Sequence, residues 1–192
     1  MPETDDKIIL PFATPAEFRA WLLTHHATHP GVWIKFAKKA SGIPSVTYAE
    51  ALDEALCVGW IDGPVRKLEE PHWIHKFMPR RPRSIWSKRN QEHVERLARE
   101  GRMLPAGQAA IDAAKADGRW AAAYAPPTSA EVPEDFVAEV SKNPEAKAFF
   151  DSLNKTNRFA IYFRLHTAKK PETRARRFQQ LLEMMKRGEK IH

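Results

Sequence analysis

The stretch from Trp60 to Trp86 gathers the side chains of this chain that are best suited to hold a ligand: Trp60, Asp62, Arg66, Trp73, His75, Arg83 and Trp86. Guanidinium forks grip carboxylate or phosphate oxygens, and indoles enclose the flatter remainder of a small molecule. Asp62 or His75 within such a pocket could move a proton. These seven residues form a candidate binding site for a small anionic ligand. A plainer reading stands beside it. Asp62-Gly63-Pro64 spells a turn in which the aspartate bonds local backbone, Trp73 and Phe77 face a core, and the arginines sit in water.

No catalytic residues, metal ligands or cofactor are assigned. Cys57 falls at the end of a predicted helix, where nothing lowers a thiol pKa, so it reads as buried and inert. His72 and His75 are three apart on a predicted strand and point to opposite faces. His25 and His29 can share a helix face but lack the further ligands that zinc needs. The chain contains no phosphate-binding glycine loop, no HExxH and no GxSxG. Gly59 and Gly63 are candidate points of close backbone approach to a ligand.

Composition narrows the classes. The chain has 192 residues, one cysteine and a formal charge of +7, with 43% hydrophobic and 29% charged residues. Those values exclude a disulfide framework, a cysteine-rich zinc site and wholesale disorder. The charge is uneven. Residues 71–91 carry six Lys or Arg and no acid, and 164–192 carry nine against three glutamates, so each is +6 and the remainder is −5. A surface polarised in this way steers anions. A nucleic-acid surface is the weaker expectation. The acidic start and the short apolar run Ile8–Phe12 do not form a secretory leader, and no run approaches the roughly 20 apolar residues of a membrane span. The expected compartment is the cytoplasm.

The elements that must position these residues follow from patterning. Ile8–Leu10 reads as a strand. Thr14-Pro15-Ala16-Glu17 opens a helix that runs to about His26 with Phe18, Trp21 and Leu22 inward. Val32, Ile34 and Phe36 alternate as a strand with one buried face. Thr47-Tyr48-Ala49-Glu50 is a second capping box, opening a helix with Ala51, Leu52, Ala55 and Leu56 on one side. A short strand around Trp60, a turn at Asp62-Gly63-Pro64, and strands at Val65–Leu68 and Trp73–Phe77 complete a small, mainly antiparallel sheet. Beyond Ser84 the pattern is helical: one helix to Arg99 with Val94 and Leu97 inward, and another over Pro105–Ala116. Ala125-Pro126-Pro127-Thr128 is linker-like. Helices then follow near Pro133–Ser141, from Asn143-Pro144, over Asn154–His166, and from Pro171, the last with Phe178, Leu181, Leu182 and Met185 as its apolar stripe. The predicted fold class is α+β: residues 1–124 form an α+β domain with a helical extension, and residues 125–192 form a C-terminal helical subdomain.

Several segments carry a resemblance. Glu54-Ala55-Leu56-Cys57-Val58-Gly59-Trp60-Ile61-Asp62-Gly63, Trp73-Ile74-His75-Lys76-Phe77 and Arg80-Arg81-Pro82-Arg83-Ser84-Ile85-Trp86-Ser87 resemble the YdeI/OmpD-associated, or bacteriocin-protection, family. Gly31–Phe36 and the helices from Ala160 to Lys186 look similar as well. The resemblance implies a role in bacterial resistance to bacteriocins and antimicrobial peptides, with a link to an outer-membrane porin and members described as periplasmic. It brings no catalytic residues. The leading expectation is a non-enzymatic binding or accessory protein with a protein partner. The alternatives are an enzyme or sensor of a small, phosphate-containing anion and a nucleic-acid binder.

Overall fold

The computed structural model describes residues 8–192; the acidic start of the chain, on which the expectation of no secretory leader rests, lies outside them. The chain divides into two compact units, residues up to 86 with 90–122, and residues 87–89 with 123–192.

The first unit is an α+β layer. Strands β1 (Ile9–Pro11), β2 (Val32–Ala37), β3 (Trp60–Lys67) and β4 (His72–Pro79) form one sheet in the order β1-β2-β4-β3. β1 runs parallel to β2, and the other pairings are antiparallel. Helix α1 (Pro15–His25) starts as its sequence dictates: Thr14 accepts from the Glu17 amide and proline occupies the first turn. The Glu17 carboxylate reaches back to the Ala13 amide. Helix α2 (Tyr48–Cys57) carries the complete reciprocal capping box of Thr47 and Glu50. Phe18, Leu22, Ile34, Phe36, Leu52, Leu56, Trp60 and Phe77 close the core between these helices and one face of the sheet. Helices α3 (Lys88–Arg99) and α4 (Pro105–Ala116) follow.

Two local expectations change. Asp62-Gly63-Pro64 is not a turn: β3 runs continuously from Trp60 to Lys67 and absorbs the sequence as an irregularity between Asp62 and Val65. A bulge resolves what glycine and proline impose, because it releases a few ladder bonds without ending the strand. The reverse face of β2 is also not solvent-facing at Trp33, which is 4% exposed. The Arg66 guanidinium lies 4.6 Å from the centroid of that indole and the Lys76 amine 6.0 Å, so long side chains cover the ring.

Gly59 and Gly107 mark where α4 meets the end of α2. A side chain at Gly59 would come 2.9 Å from the Ala106 carbonyl oxygen, and one at Gly107 would come 2.3 Å from that of Cys57. Gly59 adopts φ 78°, which glycine tolerates without strain. The close approach at Gly59 is thus to the protein's own helix. A charge network ties the same region together. Glu54, 6% exposed, accepts from Arg19 at 2.8 Å and Arg102 at 2.7 Å, and Asp53 accepts from Arg96 at 2.6 Å and from His93 at 3.0 Å. Cys57 is fully buried, and desolvation, with Glu54 adding to it, pushes its thiol pKa upward.

The second unit is a helical cluster of α5 (Glu134–Val140), α6 (Pro144–Ser152), α7 (Lys155–His166) and α8 (Pro171–Lys186). Phe136, Val140, Phe150, Ile161, Leu165, Leu181, Leu182 and Met185 fill its interior. Asn143 and Asn154 cap α6 and α7. Asn157, 2% exposed, accepts from the Ile191 and His192 amides and so pins the end of the chain.

Candidate functional site

Of the seven residues singled out in the sequence, the fold draws Asp62, Trp73 and His75 together. Directly opposed residues of an antiparallel pair share a face. Phe36 opposes Trp73, Ile34 opposes His75, and Asp62 opposes Phe77, all on the helix-covered face. The other four lie elsewhere. Trp60 is 1% exposed, and its indole N–H donates to the His26 carbonyl at 3.1 Å. Arg66 covers Trp33 on the reverse face. Trp86 is buried beside Trp120, with the Arg80 guanidinium 3.6 Å from its ring centroid. Arg83 is exposed. Tryptophans and arginines close in sequence therefore serve separate surroundings of the first unit.

At the centre of the group, the Tyr48 hydroxyl donates to Asp62 Oδ2 at 3.0 Å, and the Tyr48 ring stacks on His75 with centroids 5.0 Å apart and planes 5° apart. His75 Nε2 lies 2.9 Å from the Gly63 carbonyl and 3.7 Å from Asp62 Oδ2. A carbonyl only accepts, so the ring proton sits on Nε2 and Nδ1 keeps a bare lone pair. Nδ1 is buried without a hydrogen-bond partner. Burial drives the imidazole pKa below its ordinary value; Asp62 and the Gly63 carbonyl pull the other way and do not prevail. A neutral histidine with a lone pair and a hydrogen-bonded carboxylate can accept a proton, but Tyr48 covers them.

Outside this cluster, a cavity of about 660 Å³ opens beside Trp73. Phe36 and Trp73 stack 4.4 Å apart at 14°, and with Tyr48 they give it aromatic walls. The segment from Lys38 to Thr47 supplies most of the remainder, with both Lys38 and Lys39 at the lining. Tyr48, Phe36 and these lysines were not among the sequence candidates. Tyr48 was visible only as the first residue of a capped helix, and nothing in helical periodicity announces that its ring lies on a histidine two strands later.

The second unit has a groove of about 580 Å³, lined by Arg164, Arg177, Gln180, Leu181, Met184 and Arg187 among others. Arg177 donates to the Arg164 carbonyl at 2.7 Å, and Arg187 pairs with Glu189 at 2.9 Å. Among the described residues no group of three or more His, Cys, Asp or Glu could hold a metal ion, and no helix is long and apolar enough to cross a membrane. His25 and His29 bond instead to the Trp21 carbonyl and the Gly31 amide.

Comparison with known proteins gives two findings. Residues 10–110 match the family model described as a domain of unknown function (DUF8412), and residues 129–188 match that described as bacteriocin-protection, YdeI or OmpD-associated. The second match contains the helices from Ala160 to Lys186, whereas the earlier segments that carried the resemblance fall within the first. No curated protein and no solved structure matches.

Proposed function

We propose, for a chain that belongs through its first unit to the family of that domain of unknown function, a non-enzymatic accessory role: it binds a partner protein and thereby protects a bacterium against bacteriocins and cationic antimicrobial peptides. The observation that carries the reading is the bacteriocin-protection match over residues 129–188, which covers helices α5 to α8 entirely. The groove on that unit supports it. Leu181 and Met184 offer apolar floor, and Arg164 and Arg177 offer charge at the rim, the mixture that protein recognition uses. The proposed compartment is the cytoplasm.

The test is a strain from which the gene is deleted, challenged with a panel of bacteriocins and cationic peptides. Deletion is expected to lower the inhibitory concentration severalfold, and the intact gene to restore it. A variant with Arg164→Glu and Arg177→Glu is expected to be produced at normal levels without restoring resistance. Unchanged sensitivity of the deletion strain across the panel overturns the reading.

A further inference from the structure

We infer that the cavity beside Trp73 is a binding site for a small planar aromatic acid. The site lies wholly within the first unit, and the inference does not depend on the resistance role proposed for the second.

Three features of the cavity point to a flat, apolar ligand body. Its walls carry Phe36, Trp73 and Tyr48. Phe36 is 1% exposed beneath the half-buried Trp73, so the Phe36–Trp73 stack extends toward the opening and offers one more ring a place in the series. Offset stacking of this kind contributes beyond area burial alone. At the rim, Ile43 is 46% exposed, one of few large apolar side chains left in water among the described residues. An apolar ligand lying against it removes that exposure. The volume of about 660 Å³ lies within the range of small-molecule sites.

Charge selects an acid over a base. The charged side chains of the lining are both lysines, Lys38 and Lys39. Lys38 is held by Glu70. Lys39 follows it in the short 3-10 turn Lys39–Ser41. With the charge of Lys38 offset by Glu70, the selection falls to Lys39: a cationic ligand, a basic antimicrobial peptide included, meets its like charge, so this cavity is not assigned to the peptides of the resistance reading.

The walls are already in place. The Lys38 amide donates to the Pro71 carbonyl at 2.9 Å, the Ala37 amide to Ser45 Oγ at 3.1 Å, and the Val46 amide to the Phe12 carbonyl at 2.8 Å. These bonds fasten both ends of the 38–46 segment to the sheet side of the unit. A ligand therefore does not have to order it, which lowers the cost of binding.

The full-length protein would be titrated with 2-naphthoate and, separately, with 2-naphthylmethylammonium, following ligand resonances by saturation-transfer NMR and heat by calorimetry. The acid is expected to bind and the amine to bind at least about threefold more weakly, the scale of one solvent-exposed charge pair. Lys39→Glu, on an exposed side chain that does not threaten folding, should weaken the acid by a similar factor or more and reduce its preference over the amine. Trp73→Ala should abolish saturation transfer while circular dichroism remains native. Ile43→Ser, a surface change, gives a second reading of the apolar wall and should weaken both probes alike. Absence of transfer to either probe at millimolar concentration overturns the site. Binding of the amine as tightly as the acid, or indifference to Lys39→Glu, overturns the assignment to an acid.

Discussion

His75 shows how a single side chain is set by what covers it. Its ring sits between Tyr48 and the sheet, 6% exposed, and desolvation outweighs the pull of Asp62. The folded-state pKa is therefore below that of the unfolded chain. Between those two values the unfolded state binds the additional proton, so stability rises with pH. The contribution is complete above the ordinary histidine value of about 6.5 and is lost as pH falls below it. Urea denaturation at intervals from pH 7.5 to 5 should show the midpoint dropping across this window in the wild type and dropping less in His75→Gln. Equal slopes in the two proteins would show that His75 is not the group responsible.

At the scale of elements, close packing reverses an ordinary rule. A glycine within a helix normally lowers stability relative to alanine by about 1 kcal/mol. Gly107 lies in α4, yet an added methyl would stand 2.3 Å from the Cys57 carbonyl oxygen and 2.8 Å from its carbon, neither of which is a movable side-chain tip. Gly107→Ala is therefore expected to destabilise by about 1–3 kcal/mol, the range for overpacking, with a lower thermal midpoint. Gly118→Ala is the control. Nothing stands within 4 Å of an added methyl there, so only the left-handed backbone conformation, φ 77°, opposes it. A gain in midpoint for Gly107→Ala would mean that α4 can move away from α2. Edge strand β3 obeys a different constraint. Pro64, the adjacent irregularity, Arg66 and Lys67 along its exposed half discourage a second strand from pairing there.

Across the molecule, each of the two units has its own interior, the first between helices and sheet and the second among α5 to α8. We propose that residues 1–124 and 125–192 are separable parts. The segment 125–132 contains no helix or strand and includes the exposed Glu131. Limited digestion of the intact protein with a glutamate-specific protease is expected to cut first after Glu131 and leave two resistant fragments. A first cut within either fragment would show that the boundary lies elsewhere.

Much of this arrangement is local and therefore legible in one dimension. The side-chain cap at Thr14, the capping box at Thr47, the alternation from Val32 to Phe36, the stripe of α8 and the change from mixed to helical patterning beyond Ser84 each depend on neighbours a few residues apart. So did the opposite orientations of His72 and His75, which follow from the pleat of β4 alone. The passage of β3 through Asp62-Gly63-Pro64 was not legible, because a turn and a bulge share the same residues and only pairing with β4 selects between them. Nor was the grouping of the candidate site. Sequence proximity placed Trp60, Arg66, Arg83 and Trp86 beside Trp73 and His75, but the pleat sends Arg66 to the reverse face and the packing of α1 and Trp120 claims the two indoles. Tyr48 joins His75 and Asp62 only because α2 lies across the sheet, and Phe36 reaches Trp73 only through the register of β2 with β4. Residue type and short spacing determined which elements form; contact between chain segments far apart in sequence decided which side chains meet, since that choice rests on burial and register, which no short window contains.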